Sequence, residues 1–199
     1  MYQKELEQYN VRAAWPQPRK CALLVIDMQE YFRPMAGSIV GNVVTLIDVC
    51  REAGIKIICT RHGHMDPQRD GGMLLDWWGE CILYGSDAWQ LMKAVNPEGK
   101  DFVVDKNRCS AFAGTPLDEI LHSRMIEEVI ITGVMTNCCC ETTAREAFMR
   151  DYRVFFVSDA TATVNDDLHL ASLKNLAFGF AHIVDTKSLC DRLLNSLPK

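Results

Sequence analysis

The sequence has no apolar run near the ~20 residues that a membrane-spanning helix needs, so no span and no membrane partner are expected. It has no block of Lys or Arg. Its 21 basic residues are scattered among 26 acidic ones, for a formal net charge of −5 with His neutral. Neutralising phosphates takes clustered cations, so nucleic acid is not an expected partner either. It has no recurring CxxC pair at zinc-ribbon spacing, the usual sign of a structural zinc. The opening "MYQKELEQYNVRAAWPQPRK" has no apolar stretch of the secretory kind, and its acidic residues oppose a transit peptide. It has no linker, internal repeat or low-complexity tract. One domain over residues 21–199 is therefore expected, with residues 1–20 as an N-terminal extension packed on it.

Cysteine, by contrast, is plentiful, with nine in 199 residues. Cys21, Cys50 and Cys59 lie inside apolar runs and read as small core residues. Free thiols in a reducing, cytoplasmic setting are the expectation. Short β-rich runs alternate with helical patterns. Strands are predicted over 21–27, 56–62, 101–106, 127–134, 153–160 and 181–186. Helices are predicted over 39–53, 116–124, 139–151, 166–178 and 186–194. This repeating β-α order predicts a three-layer α-β-α fold with a mostly parallel, doubly wound sheet of about six strands. The longer, irregular stretch 62–97 holds "RDGGMLLDWWG" and reads as an elaborated loop or lid.

Ligands of open α/β sheets bind outside the carboxyl ends of the strands. Asp27, His62 and Lys106 end the first three predicted strands, three cysteines follow the fourth, and Asp159 closes the fifth. Asp27 reads either as a turn cap or as a carboxylate that accepts and returns a proton. Lys106 alone is a snorkelling lysine, but beside a thiol its charge favours the thiolate. His62 and His64, two apart on a loop, read as pocket lining sooner than as metal ligands. Trp77 and Trp78 are candidates for a flat apolar wall, and Asp159 reads as a strand-end carboxylate bonded to local amides.

The run Cys138-Cys139-Cys140 needs separating. Cys140 lies four residues before Ala144 and seven before Ala147, and so heads the buried stripe of the helix that follows. Cys139 is rotated about 100° from it. A place in the first helical turn would let backbone amides and the helix dipole stabilise a thiolate there. Geometry prefers Cys139 as nucleophile, and periodicity alone leaves Cys138 open.

"LLVIDMQEYF", "DKNRCSAF" and "TGVMTNCCCETTAREAF" with "VFFVSDATAT" together resemble the isochorismatase-like cysteine hydrolase superfamily, over most of the chain from about Cys21 onward. "GVMTNCCCETTAREAF" and "TRHGHMDP" with "GGMLLDWWG" look closest to plant-type nicotinamidases. The resemblance implies a catalytic triad of Cys139 as nucleophile, Asp27 as general base and Lys106. It also implies a cis peptide between Val134 and Met135, with amides at Met135 and Cys139 facing the oxyanion. Microbial-type members carry a metal held by an Asp and His residues after the second strand. The matching positions here are His62, His64 and Gln68, so no metal or other cofactor is expected to be required.

The expected activity is hydrolysis of a small amide through a thioester, nicotinamide to nicotinate and ammonia foremost. Phe32, His64, Trp77 and Trp78 are the candidate substrate-binding walls. The alternatives are an isochorismatase-type vinyl ether hydrolase, an amidase for another carbamoyl or ureido compound, and a non-catalytic paralogue. The isochorismatase reading is weakened by a cysteine at position 139, which those enzymes lack. The resemblance further implies a homodimer or homotetramer.

Overall fold

The computed structural model describes residues 3–196. Six strands form one sheet: β1 Cys21–Ile26, β2 Lys56–His62, β3 Phe102–Lys106, β4 Glu128–Val134, β5 Arg153–Ala162 and β6 His182–Val184. Their order is β3-β2-β1-β4-β5-β6, and every pairing is parallel. The helices are α1 Gln3–Leu6, α2 Arg33–Ala36, α3 Val40–Glu52, α4 Pro67–Asp70, α5 Met73–Trp78, α6 Leu117–His122, α7 Glu141–Met149, α8 Asp166–Gly179 and α9 Thr186–Asn195.

The central strands β1 and β4 are buried along their whole length, which is why they read as unbroken apolar runs. Alternate side chains enter two cores. Ala22, Leu24, Ile26, Ile131 and Phe156 pack with Leu117, Leu121, Ala144 and Leu173, carried by α6, α7 and α8. Leu23, Val25, Ile130 and Phe155 pack on the other face with Val43, Leu46, Leu189 and Leu193, carried by α3 and α9. Burying each such side chain contributes about 1.5–3 kcal/mol.

The chain winds outward from β1 through β2 to β3, then returns to the centre at β4 and winds the other way. The reversal leaves a crevice between the carboxyl ends of β1 and β4. Gly133 makes the close pairing of β1 with β4 feasible. Its φ is +113°, and a Cβ there would sit 2.0 Å from the Ile26 carbonyl oxygen.

Three predicted boundaries shift. Strand β5 runs on to Ala162, so Asp159 lies inside it rather than at its end. Its Oδ1 accepts hydrogen bonds from the amide and hydroxyl of Thr186, at 2.8 and 2.7 Å, tying β5 to the start of α9. The predicted strand 181–186 shrinks to β6, because Asp185 caps α9 by accepting from the Ser188 amide. The helix expected from Cys139 begins earlier, as a π turn over Thr136–Cys140 that continues into α7. Cys139 therefore stands near the end of that turn, not in the first turn of a regular helix.

Candidate active site

Asp27 follows β1 with φ +49°, a left-handed conformation that Asp tolerates better than most residues. Its side chain is fully buried. Oδ1 accepts from the Thr60 hydroxyl at 2.6 Å, and the same hydroxyl accepts from the Asp27 amide at 3.1 Å. Oδ2 lies 2.7 Å from Lys106 Nζ, off the line of a good hydrogen bond, so the contact is an ion pair. Lys106 Nζ also donates to the carbonyls of Arg108 and Cys109, at 3.0 and 3.2 Å. Burial by itself would lower the lysine; Asp27 and the adjoining thiols outweigh it and hold the ammonium charged. A buried ion pair with these additional bonds is a fixed charge assembly rather than a loose salt bridge.

The peptide between Val134 and Met135 is cis. The Met135 carbonyl accepts from the amides of Cys138 and Cys140 at 3.1 Å, which starts the π turn and orients the triplet. Cys140 is fully buried among the core residues. Cys139, 8% exposed, reaches the floor of a cavity and feels the charges of Lys106 and Asp27. Cys138 lines the same cavity but is less buried.

Cys109 is the neighbour that the motif reading passed over. It lies three residues after Lys106, on the loop following β3, and lines the same cavity as Cys139. The neighbouring Cys139 thiol and the Lys106 charge draw Cys109 downward. Its neighbour Cys109 and burial push Cys139 up. Thr60 was also missed, since a buried threonine within an apolar strand gives no sign of what it faces. Cys109 did give one: it lies within the quoted "DKNRCSAF".

The cavity measures about 430 Å³. Phe32, Met35, Leu74, Trp78, Ile82 and Met135 supply its apolar wall, and Cys139 lies at its base. Phe32, His64 and Trp78, candidates for the substrate-binding walls, line this cavity. Trp77 does not: it is 77% exposed and lines no part of the cavity, because α5 turns Trp78 inward and its neighbour out. A larger, more open groove of about 610 Å³ lies between Trp15–Arg19 and the end of α9, with no cysteine or carboxylate in its lining.

His62 and His64 are both in the wall, with rings 5.2 Å apart, edge to face. His64 is wholly buried. Its Nδ1 is 3.1 Å from Asp70 Oδ1, and its Nε2 has no partner. The buried Nδ1 of His62 has no partner either. Burial, then the nearby Lys106 charge, lower His62 to about 4, which keeps it neutral at pH 7. Two bare nitrogens invite the metal that the family resemblance raises. Among the described residues, however, no third His, Cys, Asp or Glu stands with them as a ligand. That set does not fit a resident divalent ion, which takes three or more protein ligands in zinc sites. The pair remains as two buried, unpartnered ring nitrogens on residues that line the cavity.

The chain is similar to known proteins in sequence and in fold. The chain is 48% identical to Nicotinamidase 3 of Arabidopsis thaliana, over 99% of this chain and 98% of that one. It is 34% identical to enterobactin synthase component B of Escherichia coli K12, over 87% of this chain and 63% of that protein. A crystal structure of a cysteine hydrolase from Pseudomonas syringae pv. phaseolicola superposes with a TM-score of 0.88 at 28% identity. That match spans 92% of this chain and 97% of the other. The family model for the isochorismatase domain matches residues 21–188, from the first residue of β1 to the start of α9, and the chain belongs to that family.

Proposed function

We propose that the protein is a cysteine-dependent amidase that hydrolyses nicotinamide to nicotinate and ammonia. The observation that carries this reading is the placement of Cys139 beside the buried Asp27–Lys106 pair, under an apolar cavity of about 430 Å³. Full-length similarity to an Arabidopsis nicotinamidase supports the choice of amide. The cavity has room for a flat ring, with Phe32 and Trp78 as its faces.

In this reading Asp27 takes the proton of Cys139 as its sulfur attacks the amide carbonyl. Backbone amides around Met135 and Cys139 hold the oxyanion. Asp27 then gives the proton to the departing amine, and ammonia leaves a thioester on Cys139. Water, deprotonated by Asp27, hydrolyses that ester. Lys106 keeps Asp27 ionised and in place, and Thr60 orients it. His62 and His64 offer acceptors to the substrate or to water bound beside it. No step passes through a metal. Nine unpaired cysteines support a reducing, cytoplasmic setting, and among the described residues no helix is long and apolar enough to cross a membrane.

The test is ammonia release from nicotinamide, with mass spectrometry of the quenched enzyme. Turnover with a nicotinoyl adduct on Cys139, both lost in Cys139→Ala, is the expected result. Full turnover by Cys139→Ala would refute the nucleophile. Pyruvate from isochorismate with no ammonia from any amide would replace the reading with the vinyl ether hydrolase.

A further inference from the structure

Four of the nine cysteines, Cys81, Cys109, Cys138 and Cys139, line the one cavity. The other five do not, and four of them, Cys21, Cys50, Cys59 and Cys140, are almost wholly buried, with burial raising their thiols. The crowding has a specific geometry at its base. Cys109 is half-buried and lines the same cavity as Cys139, beside the Lys106–Asp27 pair. Lys106 fixes the Cys109 backbone by donating to its carbonyl at 3.2 Å, so the loop carrying the thiol is tethered beside the nucleophile. Amide hydrolysis as outlined above has no use for a second thiol there.

We propose that Cys109 is a peroxide-reactive modification site that closes a reversible disulfide onto Cys139. The chemistry needs a peroxide as oxidant. The Cys109 thiolate attacks one peroxide oxygen, the O–O bond breaks, and hydroxide leaves a sulfenic acid on Cys109. The Cys139 sulfur then attacks the sulfenic sulfur. The S–O bond breaks, the disulfide forms, and the thiol proton departs with the hydroxide as water. The two thiols lose two electrons in total, and one hydrogen peroxide becomes two waters. Both thiols line the same cavity and interact with one another, so local side-chain movement can bring the sulfurs to bonding distance.

Three features favour attack at Cys109 first. It is the more accessible of the pair. The neighbouring Cys139 thiol and the Lys106 charge lower its pKa and favour its thiolate. Cys139 is shielded at the cavity base and is held protonated by its neighbour Cys109 and by burial. The disulfide would silence the nucleophile while sparing it the sulfinic and sulfonic states that ordinary thiols cannot reverse.

The experiment treats the whole protein with hydrogen peroxide in slight excess, then blocks free thiols and digests with trypsin. The expected product joins the peptide beginning at Cys109 to the one containing Cys138, Cys139 and Cys140, with fragmentation placing the bond at Cys139. Dithiothreitol should dissolve the link. The link should persist in Cys138→Ser and vanish in Cys109→Ser. In Cys109→Ser, Cys139 should instead accumulate sulfinic acid, and dithiothreitol-recoverable turnover should fall by about tenfold or more. A bond from Cys109 to Cys138, sulfinic Cys139 in the wild type without a cross-link, or equal recovery in Cys109→Ser would overturn the proposal. Turnover as a readout rests on the amidase reading. The cross-link does not, so failure of the one is separable from failure of the other.

Discussion

At the scale of single residues, the site is governed by one buried charge pair. Lys106 and Asp27 are 2.7 Å apart and both side chains are fully buried. Lys106→Met would leave the carboxylate without its cation. The expected loss is about 3–5 kcal/mol of unfolding free energy at pH 7, with turnover lost as well. Urea unfolding followed by circular dichroism measures the first, and a variant within about 1 kcal/mol of wild type would show that the pair is solvated. His62 makes a second prediction. Its pKa falls from 6.5 to about 4 on folding, chiefly through burial. Between those values the unfolded chain binds a proton that the folded one refuses, so stability rises with pH across that window. The contribution is complete above about 6.5 and is lost as pH falls toward 4. Its ceiling is about 3 kcal/mol. His62→Gln should flatten this part of the curve of stability against pH. An unchanged slope between pH 4 and 6.5 would disprove the assignment.

At the scale of elements, the close pairing of β1 with β4 decides where the nucleophile sits. Gly133 pairs with Ile26 in register and has no room for a methyl group beside the Ile26 carbonyl. Gly133→Ala is expected to cost more than about 3 kcal/mol, because the clash is with backbone and φ is also unsuited to a side chain. Gly41 lies near the start of α3, and a methyl group added there would meet nothing within 4 Å. Gly41→Ala should raise stability by up to about 1 kcal/mol through helix propensity. Calorimetry of the two variants should give melting shifts of opposite sign. Matching shifts would mean that the close pairing is not the reason for the glycine.

Across the whole molecule, the segment ahead of β1 bonds to the edge strand β6. Asn10 donates its side-chain amide to the Ile183 carbonyl at 2.8 Å and accepts from the Ile183 amide at 3.1 Å. The side chain thus takes the place of one rung of a neighbouring strand, and covers an edge that would otherwise invite pairing between chains. Further along, the Gln17 amide donates to buried Glu128, which also holds Arg153. Asn10→Ala removes both bonds to β6 and should cost about 1–3 kcal/mol, a fall in Tm of roughly 2–12 °C. A Tm within error of wild type would show that the extension adds nothing to this edge.

Much of the architecture was legible because it rests on local periodicity. Six apolar runs, five of them followed by a helical pattern, sufficed for a parallel three-layer sheet. The rule that ligands gather at strand ends brought Asp27, Lys106 and the cysteine triplet together before any coordinates did. Periodicity also separated Cys140 from Cys139, since the spacing to Ala144 and Ala147 is a property of the helix alone. What lay beyond reach depends on which strands become neighbours and how loops fold over them. Strand β2 beside β1 is what sets Thr60 against Asp27. The loop after β3 is what carries Cys109 beside Cys139, a residue far along the chain. The outward turn of Trp77 and the clasp of Asn10 on β6 belong to segments with no repeating pattern. The sequence by itself determined the elements and the chemistry at their ends, because both follow from neighbours along the chain. Tertiary structure alone decided which of those chemical groups touch, because that depends on packing between segments far apart.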